Sequence, residues 1–195
     1  MRFRDKTKKG TLQNGMLCLL KAQAKLREVD GMESCGKVAV CLKPFNDSSF
    51  NDLERKISDL LEVGVRTTRS GYKLINDEYG FRWILLVNSE IEDLIAMVYT
   101  ITQLCDELDY GTHIAAVVFP FSSEGRVVNW IYNHQRGTFY PFVSFDEGNY
   151  RDSVLELDLY SRVEKDLPLE DDLSRWHPLW GMPFDSLDVG QVGSR

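Results

Sequence analysis

Residues 71–87 read GYKLINDEYGFRWILLV, and their pattern decides the fold. Tyr72, Leu74 and Ile75 lead into the polar run Asn76, Asp77, Glu78, Tyr79 and Gly80, after which Phe81, Trp83, Leu85 and Val87 alternate with period two. Such alternation puts every second side chain on one face of a strand, and a glycine in a short polar run lets the backbone reverse. The stretch is a β-hairpin, whose Phe81 and Trp83 face is either core or a binding surface.

Helical patterns flank the hairpin. Before it, Phe50, Leu53, Ile57, Leu60 and Leu61 recur at helical spacing from a capping-box-like start at Ser49 and Asp52, until Gly64 stops them. After it, Ser89 and Glu92 form a second capping box ahead of Ile91, Leu94, Ile95, Val98, Ile101, Cys105 and Leu108, and this stripe ends near Asp109 and Gly111. Outside the helices lie a short β-branched run at 38–42, closed by Pro44 and a polar turn at 46–49, and a strand-like run at 113–121. Strand, helix, strand, strand, helix, strand is the order of a ferredoxin-like split βαβ unit.

Further out, 127–133 and 138–145 read as two more strands, joined by turns at 122–125 and 134–137, so a β-meander extends the unit. Residues 14–28 hold good helix formers with Leu17, Leu19, Leu20, Ala24 and Leu26, ending at Asp30 and Gly31. Residues 149–164 are assigned to a helix, although Leu155, Leu157 and Leu159 also alternate as a strand would. The class expected is α+β, with amphipathic helices on one face of a mainly antiparallel sheet. The expected organisation is a basic flexible arm at 1–13, one domain at 14–183 and a flexible tail at 184–195.

At 195 residues, 43% hydrophobic and 27% charged, the chain is long enough for one core and lies outside the regime of disordered sequences. Its apolar runs fall short of the roughly 18–20 residues that span a bilayer. The basic start, Arg2, Arg4, Lys6, Lys8 and Lys9, lacks the long apolar run and small-residue cleavage site of a signal peptide. A net charge of -7 disfavours nucleic acid and anionic lipid as partners, with the basic arm as the local exception that would bring the chain near a membrane surface. Cys18, Cys35, Cys41 and Cys105 include no C-x-x-C pair and read as reduced, cytoplasmic thiols.

Catalytic chemistry finds no local motif. His113, His134 and His177 lack partners at metal-ligand spacing, and there is no G-x-S-x-G elbow, P-loop or G-x-G-x-x-G. No catalytic, metal or cofactor-binding residue is assigned and no cofactor is expected. An enzyme site assembled only in space, around His134 or His177, stays open.

Two aromatic segments stand out instead. In 131–143, Arg136 occupies a turn between strands bearing Tyr132, Phe139 and Tyr140, where a guanidinium would anchor a carboxylate or an aromatic face. In 175–183, Trp176, His177, Trp180 and Met182 lie in an extended, proline-fixed stretch after Glu170, Asp171 and Asp172. Tryptophans at this density either cap a core or offer an anchor to a partner. These eight residues are the candidate partner-binding set, with core packing as the alternative for each.

The same segments, with residues 36–44 and the hairpin at 77–83, resemble the PspAB family, the PspA-associated proteins of the phage-shock envelope-stress system. The likeness spans about residues 14–183. It implies association with PspA, the coiled-coil protein that coats stressed cytoplasmic membrane, and carries no catalytic residues with it. The expectation is a non-catalytic adaptor that binds PspA or a PspA-associated protein. A second expectation is a dimeric, chaperone-like α+β module, similar to the YbjN or type III secretion chaperone class, that holds a client segment.

Overall fold

A computed structural model describes residues 6–44, 49–145 and 149–186. In chain order the elements are α1 (Lys6–Asp30), β1 (Glu33–Ser34), β2 (Lys37–Leu42), α2 (Ser49–Thr68), β3 (Gly71–Asn76), β4 (Arg82–Val87), α3 (Ile91–Glu107), β5 (Ile114–Ser123), β6 (Arg126–Asn133), β7 (Thr138–Phe142) and α4 (Ser153–Val163). The strands form one antiparallel sheet in the order β3-β4-β2-β5-β6-β7, with the short β1 beside β5. The first four of these strands, with α2 and α3 as crossovers, are the split βαβ core, and β6 and β7 are the meander that extends it.

The hairpin at 71–87 forms as its pattern requires, from Gly71 opposite Val87 to Asn76 opposite Arg82. Asp77 organises its turn. Its Oδ1 accepts the Tyr79 and Phe81 amides at 2.9 Å each, and its Oδ2 accepts the Trp83 indole N–H at 2.9 Å. Gly80 takes a φ of 82°, which a side chain would resist.

Several boundaries differ from those read in the sequence. Helix α1 starts at Lys6, ahead of residue 14, while residues 1–5 and those after 186 lie outside the described residues. So do the turn at 46–48 and the side-chain cap expected of Ser49. Helix α2 runs through Gly64 to Thr68 instead of stopping there. The Ser89 capping box does not form: Glu90 is the N-cap of α3 without a side-chain cap bond, and Asn88 Oδ1 accepts the Glu90 amide at 2.8 Å. Helix α4 begins later than expected, where Asp152 caps it by accepting the Leu155 amide at 3.0 Å.

All four helices pack on one face of the sheet. Helix α3 touches α2 on one side and α1 on the other, and α1 reaches α4. Met16, Leu19, Ala22 and Leu26 of α1, Leu53, Ile57 and Leu61 of α2, and the α3 stripe close over Val40, Leu86, Phe119 and Trp130. Burying a large apolar side chain contributes roughly 1.5–3 kcal/mol, so this layer is the main source of stability. The opposite face, with Cys41, Leu85, Val118 and Phe142, carries a second cluster closed by the C-terminal segment through Trp176, Leu179, Trp180, Met182 and Phe184. Both faces of β2 and β4 are therefore covered, which explains strands buried at nearly every position.

Candidate functional site

The two aromatic segments of the sequence meet at the β7 edge. There residues 168–170 pair with Phe139: the Phe139 amide donates to the Pro168 carbonyl and the Glu170 amide to the Phe139 carbonyl, each at 2.8 Å. The chain then turns under the sheet. Trp176 is buried, donates its indole N–H to the Glu170 carbonyl at 2.8 Å and stacks on Tyr140 with centroids 6.1 Å apart. Tyr140 donates its hydroxyl to the His177 carbonyl at 3.0 Å, and burial pushes that phenol well above its ordinary range. Trp180 meets Phe142 edge-on at 5.0 Å.

This placement divides the eight candidates. Tyr132 and Phe139 are fully buried, their rings 4.7 Å apart in the helix-side core, and Tyr140 and Trp176 are buried on the other face. Arg136 and His177 are exposed, and Trp180 and Met182 keep part of their surface. Arg136 already has a carboxylate within the chain, since its Nε lies 3.6 Å from Glu170. Glu170 is buried and also pairs with Arg175 at 3.3 Å, so the acidic run before Trp176 ties the segment down.

One histidine gains in space the acidic partner it lacks in sequence. His134 is buried, and its Nε2 lies 3.2 and 3.3 Å from the two carboxylate oxygens of Asp106. A carboxylate only accepts, so Nε2 carries the proton, and the buried Nδ1 is left without a hydrogen-bond partner among the described residues. A Cβ at Gly111 would collide with Asp106 Oδ1, so glycine there lets α3 turn tightly into β5 without displacing the pair. His134 lines neither of the clefts described next. Cys41 and Cys105 are pushed up to about 12 by burial, which makes them inert thiols at neutral pH. Among the described residues no group of three or more His, Cys, Asp or Glu is placed to hold a metal ion.

The helix layer carries an apolar groove that sequence reading did not single out. Met16, Leu17 and Leu20 of α1 face Ile95, Ala96 and Tyr99 of α3 across a volume of about 430 Å³, with Glu92 at one end. Leu17 is 49% exposed, although Met16 and Leu19 on either side are buried. Past Glu92 the groove opens into a polar cleft of about 470 Å³, which Arg27, Glu33 and Glu90 line. A signal for it is present in the sequence: Leu17, Leu20 and Ala24 form a second apolar stripe beside Leu19, Ala22 and Leu26.

Fold and surface together define an α+β protein with a ferredoxin-like split βαβ core, both sheet faces covered and an apolar groove left open between two helices. The chain belongs to the PspAB family, PspA associated protein B, whose sequence profile matches residues 4–184. The family description implies association with PspA. No curated protein and no solved structure matches the chain. Among the described residues no helix is long and apolar enough to cross a membrane.

Proposed function

We propose that this chain is a non-catalytic adaptor of the envelope-stress response that binds PspA, or a protein bound to PspA, in the cytoplasm. The observation that carries the proposal is the α1–α3 groove, whose apolar lining lacks the convergent polar groups that position a small substrate. Leu17 and Ala96 are exposed apolar positions outside the two core clusters, and their meeting across one groove supports a docking role. The family description, PspA associated protein B, supports PspA or a protein bound to it as the partner. Four free cysteines fit a reducing compartment.

The residues that first drew attention take a different part in this reading. Trp176, Tyr132, Phe139 and Tyr140 build the scaffold, while Arg136, His177, Trp180 and Met182 keep open surface of their own. Purified chain and purified PspA are mixed at about 10 μM and run on a sizing column, a range that registers micromolar affinity. Co-elution that is lost with Ala96→Glu and kept with Trp180→Ala supports the adaptor. Failure of the native proteins to associate, directly or through any protein recovered with PspA from the native cell, overturns it.

A further inference from the structure

We infer that the α1–α3 groove accepts an α-helix of the partner, apolar along one face and carrying lysine or arginine at the end that lies over the start of α3. The partner's identity rests on the adaptor reading above, whereas the shape and charge of the bound segment rest on the groove itself.

Helix α1 carries more apolar surface than the fold uses. Met16, Leu19, Ala22 and Leu26 supply its buried stripe, and beside it Leu17 is exposed to the groove while Leu20, half-buried against the core, turns its remaining surface there. The facing wall repeats the spacing on α3, where Ile95, Ala96 and Tyr99 follow one another at i, i+1 and i+4. Two helices side by side, each showing a ridge at this spacing, form the seat into which the ridge of a third helix fits, with axes about 8–10 Å apart. Ala96 suits that approach because its methyl leaves room for a partner side chain.

An extended peptide is the poorer occupant. It needs backbone donors and acceptors from its host, and both walls are helices whose amides and carbonyls are spent on their own turns. A helix satisfies its backbone internally and asks the groove only for apolar cover.

The charge sets the orientation. Glu92 stands where the groove opens into the polar cleft, which Glu33 and Glu90 also line. Arg27, the guanidinium there, is engaged by Glu33 at 3.4 Å, so carboxylate remains in excess at this end. A basic side chain on the incoming helix meets that excess, and an acidic one is repelled. Along α1 the combined trough runs from Met16 to Arg27, about three helical turns, which sets the length of the bound helix.

The test uses the full chain and two fluorescein-labelled synthetic helices of about 18 residues, long enough to cover the trough. They share one leucine and alanine stripe, and one carries lysines at an end where the other carries glutamates. By fluorescence anisotropy the lysine helix is expected to bind about tenfold or more tightly than the glutamate helix. Glu90→Lys with Glu92→Lys abolishes that preference, and Ala96→Glu abolishes binding while the thermal melt stays unchanged. The inference is overturned if neither helix binds at about 100 μM, if the two bind alike, or if Ala96→Glu binds normally. It is also overturned if sedimentation shows a dimer of the native chain that Ala96→Glu dissolves, since the occupant is then a second copy. PspA association insensitive to Ala96→Glu would remove the groove and leave the adaptor standing. Helix binding without PspA association would do the reverse.

Discussion

Arg151 holds Glu156 through three close contacts, Nε to Oε1 and Oε2 at 3.2 and 2.9 Å and Nη2 to Oε2 at 2.6 Å, while its Nη1 donates to the Trp176 carbonyl at 2.7 Å. The Val143 amide completes the cage on Glu156 at 2.9 Å. One buried carboxylate thus joins α4, the end of the β7 segment and the C-terminal segment that covers the second sheet face. Burial pushes the Glu156 carboxyl up, against the pull of Arg151 and the Val143 amide.

Arg151→Ala removes the stronger of those opposing pulls and leaves a carboxylate in the interior, so its folded-state pKa rises further above the unfolded value of about 4.3. A carboxyl raised on folding costs stability as pH climbs from the unfolded pKa through the folded one. The variant is expected to lose about 3 kcal/mol at pH 7.5 and clearly less at pH 5. Urea unfolding at the two pH values decides it, and an equal loss at both refutes the buried-charge account.

Asp152 behaves in the opposite sense. Its carboxylate accepts the Leu155 amide and pairs with Arg126 at 2.7 Å, and these hold it below the usual carboxylate range. A carboxyl lowered on folding gives stability that is present above about pH 4 and lost as pH falls through the folded pKa. Asp152→Asn keeps a cap acceptor and flattens that acid-side loss, whereas Asp152→Ala also loses the cap, about 1 kcal/mol. A melting series from pH 7 to pH 2 separates the two variants. Identical curves for both would show that the cap contributes nothing.

Trp176 and Trp180 lie four residues apart in the same segment and are expected to differ sharply. Trp176→Ala removes a buried indole, its bond to the Glu170 carbonyl and its stack on Tyr140, a loss of about 3–5 kcal/mol. Trp180→Ala removes a partly exposed ring and is expected to cost less than half of that. Equilibrium unfolding measures both, and equal costs would contradict the placement of Trp176 in the second core.

Neighbouring leucines of α1 make the same contrast on the helix face. Leu19 has no exposed surface, so Leu19→Ala costs about 3 kcal/mol. Leu17→Glu falls within about 0.5 kcal/mol of the native protein, because Leu17 spends its surface on the groove and not on the core. A Leu17 variant as unstable as the Leu19 variant would mean that the groove is core.

Where a local period carries the information, the chain could be read directly. The 71–87 hairpin, the α2 and α3 stripes and the strand order of the split βαβ unit all rest on alternation or helical spacing within one element. The failures are places where a distant group overrides a local signal. Strand β1 has two residues and no pattern of its own, and exists because Glu33 and Ser34 pair with Ser122 and Phe121. Gly64 reads as a helix stop, yet α2 continues past it to Thr68, whose hydroxyl donates to the Gly64 carbonyl at 3.0 Å and lies beside the Ser70 hydroxyl that the Asn88 amide holds. Ser89 reads as a cap, but the Asn88 side chain takes the Glu90 amide and ties the turn to Ser70 at 2.6 Å.

By itself the sequence determined the α+β order, the family and the absence of local catalytic motifs, because each is written in residue order and spacing. Only the tertiary structure decided which aromatic residues are scaffold and which surface is open. An apolar period marks a face that must be covered but not what covers it. Trp176 is covered by Tyr140 and by Tyr160 of α4, whereas Leu17 stays 49% exposed among the described residues. Burial is a property of neighbours brought together by folding, so the groove became visible only once α1 and α3 lay side by side.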